Sequence, residues 1–347
     1  MDHALQLLQQ LPAVLLPWYD THRRHLPWRE NISAYRTWVS EIMLQQTRVA
    51  AVIPYFQRFM DAFPTAEALA TADTEQLMKL WEGLGYYSRA RNLQKAAQVI
   101  ADRGYFPQTY DEVLALPGIG DYTAGAILSI AFGQPTPAVD GNVLRVASRI
   151  TGSEDNILED SVRRRFRGLM AQVMPQQLPG EFNQALMDLG ASVCLPSGEP
   201  LCEQCPAAAF CTAYQEGKQR QLPVRISKTK NRTEEKTVFL LLREGDVALR
   251  QRPDSGLLAG LWEYPHVDGK LDEPAAAAQL AAWGLSPRRW IKAVKFHHIF
   301  THIRWEMTGY VVEVNGNGCN DWLWADAQSR TQKAVPSAFE RLTRELT

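Results

Sequence analysis

The sequence predicts a multi-domain chain: a helical domain over residues 1–214, a linker over residues 215–235 and an α+β domain over residues 236–347. Three observations carry this reading. Up to about residue 214 the apolar residues fall into segments punctuated by Pro, Gly and capping residues, as successive helices require. Residues 215–235 are polar and charged with few apolar side chains, which suits a connector. From Thr237 the pattern changes to Thr237-Val238-Phe239-Leu240-Leu241-Leu242, a turn at Glu244-Gly245-Asp246 and a second run from Val247, the signature of paired strands. The 347 residues suffice for about two domains, each burying its own core.

The elements follow in order. Leu5, Leu7, Leu8, Leu11 and residues 14–16 predict an amphipathic first helix ending near Leu16-Pro17; Asp2, scattered Gln and Pro12 are unlike a signal peptide or a membrane span. After Leu26-Pro27-Trp28-Arg29-Glu30, read as a loop, Ser33 can cap a helix from Ala34 or Tyr35 to about Ile53, where Pro54 intervenes. Glu41 lies one turn after Trp38 and beside Ile42, so a carboxylate is set near an apolar face. If that face is buried, desolvation raises its pKa and equips it as a general acid; otherwise it is an ordinary surface glutamate. The polar run Gln45-Gln46-Thr47 suits a surface that meets hydrogen-bonding groups. Residues 64–104 read as short helices broken at Gly83-Leu84-Gly85, a turn that presents Tyr86, Tyr87, Arg89 and Arg91. Aromatics beside arginines can wedge a base stack and hold phosphate, or simply pack beneath the turn.

Leu116-Pro117-Gly118-Ile119-Gly120 stops one helix in a tight turn, and Thr123-Ala124-Gly125-Ala126-Ile127-Leu128 begins another. This is the pattern of a helix-hairpin-helix, whose bare N–H groups at a helix N-terminus suit a DNA phosphate without reading sequence. A Pro-rich loop then delivers Asp140 to the start of a helix at Gly141-Asn142-Val143. Such an Asp is an N-cap, and the same position keeps a carboxylate ionised to stabilise a developing cation. Residues 157–193 read as helical and lead into Cys194-x7-Cys202-x2-Cys205-x5-Cys211. Four cysteines in so short a span point to a metal in a reducing compartment; zinc and an iron-sulfur cluster both fit the spacing.

Charge gives a nucleic-acid partner no global support. The formal net charge is −1, and residues 1–215 hold 17 Lys and Arg against 22 Asp and Glu. Residues 216–235 hold 6 against 3, and residues 236–347 hold 14 against 13. DNA binding therefore needs local patches, for which Arg23-Arg24-His25, Arg89 with Arg91, Arg145 with Arg149, and Arg163-Arg164-Arg165 with Arg167 are candidates.

Taken together, the chain resembles the helix-hairpin-helix DNA glycosylases with an iron-sulfur cluster, most closely the adenine DNA glycosylases of the MutY type. The anchors are co-linear over nearly the whole chain: residues 40–47, Gly83-Leu84-Gly85-Tyr86-Tyr87, residues 116–120, Val139-Asp140-Gly141-Asn142-Val143, Phe182-Asn183-Gln184-Ala185 and the four cysteines. The resemblance implies an all-α catalytic domain of two lobes, with a 4Fe-4S cluster on Cys194, Cys202, Cys205 and Cys211, although the first spacing is seven residues where the family usually has six. It also implies that adenine is flipped out of the duplex into a pocket between the lobes. Glu41 matches the acid that protonates the base, and Asp140 the carboxylate that stabilises the oxocarbenium-like sugar. Asn142 and Tyr122 match residues that support this centre. Arg29 and Gln184 match contacts to the flipped adenine. Gln46, Thr47, Leu84, Tyr86, Gly118 and Gly120 match contacts to DNA, with Gln46, Leu84 and Tyr86 around the opposing base. The endonuclease III branch carries a lysine nucleophile where this chain has Tyr122, and tyrosine cannot form its Schiff base, so base removal without an efficient lyase step is expected.

In the second domain, Arg252-Pro253 and residues 256–265 resemble the Nudix fold. The acidic helix with which a Nudix hydrolase holds magnesium is replaced by Ala275-Ala276-Ala277-Ala278-Gln279, so a pyrophosphohydrolase lacks its ligands and recognition remains. Residues 296–302 resemble the loop with which this family inspects 8-oxoguanine, with His298, Phe300, Thr301 and His302 as the reading residues. Thr301 stands where the family usually has serine and keeps the hydroxyl. Cys319 lies outside the four-cysteine set and reads as a plain thiol.

The expectation is a monofunctional DNA repair glycosylase, a hydrolase that removes adenine mispaired with 8-oxoguanine or guanine. Its partner is double-stranded DNA carrying that mismatch. It is expected to act as a monomer without a membrane, in a bacterial-type cytoplasm with the nucleoid. The alternative enzyme is an endonuclease III-like glycosylase/lyase for oxidised pyrimidines. A catalytically dead mismatch binder is a further class, against which intact Glu41 and Asp140 argue.

Overall fold

A computed structural model describes residues 3–227 and 232–346. The chain forms two compact units: Met1–Thr71 with Asn92–Ser227, and Ala72–Arg91 with Lys228–Thr347. The Gly83-Leu84-Gly85 turn thus belongs with the sheet-bearing unit that follows it in sequence. Among the described residues no helix is long and apolar enough to cross a membrane.

The first unit is helical. Leu8, Leu11 and Leu15 pack with Val143, Ile150, Phe166 and Leu186 in one cluster. Trp38, Val39, Phe56 and Phe59 are buried elsewhere in the same unit, where the ring of Trp28 meets Phe56 edge-on at 5.5 Å and Trp38 meets Phe106 at 5.8 Å. Three boundaries differ from the sequence reading. The first helical segment is split into His3–Leu8 and Leu11–His22, and the second runs through Pro17 rather than ending there. Pro12 falls in its first turn, where a missing N–H costs nothing. The helix capped by Ser33, whose side chain accepts from Arg36 N at 3.2 Å, spans only Ala34–Leu44. Gln46 takes a φ of 56° and breaks it, and Pro54 lies inside the next helix, Val49–Ala62. The hydrogen bond lost at Pro54 is offset by the burial of Val52, Phe56, Phe59 and Met60 on the same helix. Residues 27–30 are a short helix, Pro27–Glu30, rather than a loop.

The second unit carries a seven-stranded sheet: β1 (Arg232–Arg243), β2 (Asp246–Gln251), β3 (Trp262–Glu263), β4 (His266–Asp268), β5 (Ser286–Ile299), β6 (Ile303–Asn315) and β7 (Trp322–Ala325). Its order is β3-β2-β1-β6-β5, with β4 pairing β1 and β7 pairing β2. Only β1 and β6 run parallel; the other pairs are antiparallel. Glu244 and Gly245 join β1 to β2 with φ of 54° and 98°, the two-residue hairpin geometry expected at that turn. The helix Glu273–Ala282, capped by Asp272, buries Ala276 and Leu280 against Phe239, Leu241 and Val312 on one face of the sheet. Val238, Leu240, Trp305 and Met307 pack with Phe339 and Leu342 on the other. Residues 296–299 complete β5, so only residues 300–302 form the turn into β6.

Candidate active site

A cavity of about 1010 Å³ opens in the first unit, lined among others by Arg29, Glu41, Gln46, Tyr122, Asp140 and Gln184. The helix Ala34–Leu44 brings Glu41 to its wall, because the helix packs Trp38, Val39 and Ile42 inward and Glu41 shares their buried side. Glu41 is 5% exposed and accepts a hydrogen bond of 2.5 Å from the Tyr122 hydroxyl. Burial pushes its pKa up to about 7 against the opposing pull of that hydrogen bond, with the charge of Asp140 adding to the rise and Arg29 opposing it. Tyr122 itself is held well above its ordinary range by burial and by Glu41.

Tyr122 comes from the helix Asp121–Phe132, which starts at Gly120 in the hairpin. Gly118 takes a φ of 78° there, and a side chain on it would meet Asn92, so the turn requires glycine. The Pro-rich loop after this helix is fixed by Asn183, whose Nδ2 donates to Ser129 Oγ at 2.8 Å and Thr136 O at 2.9 Å and whose Oδ1 accepts from Ala138 N at 3.1 Å. Asp140 follows as the N-cap of Gly141–Thr151, accepting from Val143 N at 2.8 Å and from Asn142 Nδ2 at 2.7 Å. Burial raises its pKa, while these hydrogen bonds and the charge of Arg145 pull it down. Two carboxylates therefore share one cavity, one with its pKa raised to about 7 by desolvation and one accepting two N–H donors.

One supporting residue, Asp188, was not singled out from the sequence, and Arg145 and Arg149, read there as a basic patch for DNA, are buried instead. Asp188, fully buried, receives Arg29 through Nη1 at 2.8 Å and Nη2 at 3.0 Å and Arg24 through Nε at 2.7 Å. These partners hold its carboxyl below the usual range despite burial. Its only sequence signal is its place one turn beyond Gln184, which is itself buried at the cavity wall. Arg145 donates to Asn142 Oδ1 at 2.9 Å and to Gly190 O at 2.7 Å, which locks the amide that holds Asp140.

Cys194, Cys202, Cys205 and Cys211 line one small pocket walled by Val146, Ile150, Leu189 and Val193. Arg149 reaches Cys194 Sγ at 3.1 Å, and burial pushes the Cys205 thiol up to about 12. Among the described residues no group of three or more His, Cys, Asp or Glu is set to hold a single metal ion.

In the second unit, Phe300 packs edge-on against Trp305 at 4.9 Å and His298 at 4.6 Å. The hydroxyl of Thr301 shares a 2.9 Å hydrogen bond with that of Tyr86, which is exposed and has a φ of 48°. His302 is exposed and its carbonyl accepts from Arg232 N at 2.9 Å. Leu84 does not project from its turn: it is 6% exposed, because the Gly83-Leu84-Gly85 turn folds it inward while Tyr86 faces out. Thr47 is half-buried beside the exposed Gln46 at the helix break.

Residues 39–172 match the family model of the HhH-GPD superfamily of base excision DNA repair proteins, and residues 237–345 match the NUDIX domain model. The chain is 37% identical to an adenine DNA glycosylase of Homo sapiens over 87% of its own length and 66% of that protein's. It is 38% identical to one of Mus musculus over 84% and 68% of the two chains, and 35% identical to one of Buchnera aphidicola over 86% and 83%. Among solved structures, a thermostable thymine-DNA glycosylase superposes with a TM-score of 0.55 at 27% identity, covering 62% of this chain and all of the other. An endonuclease III bound to DNA superposes at 0.51 and 24% identity, over 60% of this chain and 97% of its own, a likeness of fold. With Glu41, Tyr122 and Asp140 gathered in one cavity and relatives matched across both units, the chain belongs to the adenine DNA glycosylase family.

Proposed function

We propose that the chain removes adenine mispaired with 8-oxoguanine or guanine in duplex DNA by hydrolysing its N-glycosidic bond. The observation that carries this is the carboxyl of Glu41, buried with a pKa of about 7 in the cavity that also holds Asp140. The neutral Glu41 delivers a proton to the flipped adenine, so the base leaves without negative charge. Asp140 stays available as the carboxylate that offsets charge growing on the sugar, its two N–H donors favouring the ionised form. Tyr122 steers the Glu41 proton, and Arg29, held by Asp188, and Gln184 meet the base. No lysine stands at Tyr122 to form an imine, so strand cleavage is left to other agents. Gln46 and Tyr86 meet the DNA around the opposing base, Thr47 contacts the DNA, the amides of Gly118 and Gly120 take phosphate, and His298, Phe300, Thr301 and His302 read 8-oxoguanine. The protein acts as a monomer.

The four cysteines suit a 4Fe-4S cluster: all four line one pocket walled largely by apolar side chains, with a guanidinium beside the sulfur of Cys194. When bound, the cluster supplies a covalent tie between the ends of the 194–211 loop and a centre able to change redox state.

The test is single-turnover base release on duplexes carrying adenine opposite 8-oxoguanine, guanine or cytosine, and thymine glycol opposite adenine, with and without alkali. Alkali-dependent cleavage at adenine, fastest opposite 8-oxoguanine, is the expected result. Alkali-independent cleavage at thymine glycol with adenine untouched would replace this reading with an oxidised-pyrimidine glycosylase/lyase.

A further inference from the structure

Residues 72–91 are part of the second unit, and a polar stripe fastens them there. The helix Thr74–Trp81 buries Leu77, Met78 and Trp81, which leaves Glu75, Lys79 and the capping residue Glu82, four and three positions apart, along another face. That face meets residues 333–335, the exit from the helix Ala327–Gln332. Lys333 Nζ donates to Glu75 Oε2 at 2.7 Å and to its Oε1 at 3.0 Å, and Lys79 Nζ donates to Lys333 O at 3.2 Å. Glu82 Oε1 accepts from Val335 N at 2.9 Å, and its Oε2 accepts from Lys79 Nζ at 2.5 Å. The receiving segment is itself fixed to the sheet. Ala334 O accepts from Trp262 N at 3.1 Å, and Lys333 Nζ lies over the Trp262 ring at 4.7 Å.

The turn that follows is braced from within. Arg89, 8% exposed, donates through Nη2 to Leu84 O and Gly85 O, both at 3.0 Å, and its guanidinium faces the rings of Trp81 at 5.4 Å and Tyr86 at 5.5 Å. Trp81 Nε1 donates to Gly85 O at 3.1 Å. Beyond the turn, Arg91 Nη1 donates to Ala259 O at 2.7 Å, a second tie to the sheet-bearing part of the unit. The two arginines read from sequence as a phosphate patch thus engage backbone carbonyls. A turn braced in this way moves as one piece, so the anchors at Glu82 and Arg91 set where Tyr86 stands.

We propose that Glu82 and Lys333 are positioning residues for discrimination of the opposing base: they hold the Tyr86 turn in register with the loop that carries Phe300, Thr301 and His302. This rests on the reading of Tyr86 and that loop as contacts to the opposing base and to 8-oxoguanine. Tyr86 and Thr301 lie 215 positions apart and share a hydrogen bond of 2.9 Å, so their meeting is set by what fastens one segment to the other. A base inspected by both elements is told from guanine only while they keep one spacing. Glu41 and Asp140 belong to the first unit and act alike opposite either base.

The test measures single-turnover adenine release opposite 8-oxoguanine and opposite guanine, at saturating enzyme, in Glu82→Ala, Glu82→Gln, Glu75→Lys, Lys333→Glu and the paired Glu75→Lys/Lys333→Glu variant. Glu82→Ala removes the acceptor of Val335 N and is expected to lower the ratio of the two rates about tenfold, through the 8-oxoguanine rate, whereas Glu82→Gln keeps an acceptor and loses about threefold or less. Each charge reversal alone is expected to lower the ratio about threefold, and the paired reversal, which restores opposite charges, to recover it. Amide hydrogen exchange of residues 83–87 follows the docking without DNA and is expected to quicken about tenfold in Glu82→Ala. A ratio unchanged in Glu82→Ala, an equal loss opposite both bases, a paired reversal no better than either single one, or unchanged exchange overturns the proposal. Wild type that releases no adenine overturns the function instead, and the exchange comparison still decides whether Glu82 holds the turn.

Discussion

The replacement Glu41→Gln separates what the site costs the fold from what it gives the reaction. The folded-state pKa of Glu41 is raised from 4.5 to about 7, chiefly by burial. Between those values the folded chain holds a proton that the unfolded chain has released, so stability falls as pH rises through this window and the loss is complete above it. The displacement corresponds to about 3 kcal/mol. Glutamine does not titrate, and its amide oxygen still accepts from the Tyr122 hydroxyl, which sits 2.5 Å from Glu41 Oε2 in the native chain. The variant is therefore expected to gain stability over wild type progressively from pH 5 to pH 8, reaching about 3 kcal/mol, or about 6 to 12 °C in the unfolding midpoint of a unit this size. Base release by the same variant is expected to drop by about 10² to 10⁴. The assay is thermal unfolding of both proteins at pH 5, 6, 7 and 8 with single-turnover kinetics at each. A stability difference that does not change with pH, or a variant less stable than wild type at pH 8, would refute the account of Glu41 as a buried acid.

Four further outcomes are expected. Wild-type base release should fall about tenfold between pH 6 and pH 8 as Glu41 loses its proton, and Tyr122→Phe should move this limb to higher pH, because the hydroxyl favours the ionised carboxylate; a limb that moves to lower pH would contradict the geometry. Asp188→Ala leaves two guanidiniums without their buried partner and should lower stability by about 3 to 5 kcal/mol in urea unfolding, with weaker selection for adenine. Cys205→Ala should abolish iron content and visible absorbance, whereas Cys319→Ala, outside the four-cysteine pocket, should leave both unchanged. Thr301→Val removes the hydroxyl that meets Tyr86 and should reduce the preference for 8-oxoguanine over guanine about threefold to tenfold, measured as the ratio of base-release rates.

The sequence by itself determined the features that depend on a few neighbouring residues. The caps at Ser33 and Asp140, the Gly118 turn and the Glu244-Gly245 hairpin between the runs at Thr237 and Val247 follow from backbone sterics and local hydrogen bonds, which act within three or four positions. Residue identity alone also excluded an imine at Tyr122 and a magnesium-binding helix at residues 273–282. Tertiary structure decided where those local pieces go and how their chemistry is tuned. Pro17 and Pro54 do not end helices, because burial of one helical face overrides the local penalty of a proline, and the helix from Ala34 stops early where Gln46 turns to a positive φ. The grouping of residues 72–91 with the sheet depends on partners far along the chain. Asp188 meets Arg29 across 159 positions, and no local pattern marks that pair. The raised pKa of Glu41 is likewise a property of the fold, since desolvation exists only once the surrounding side chains have excluded water.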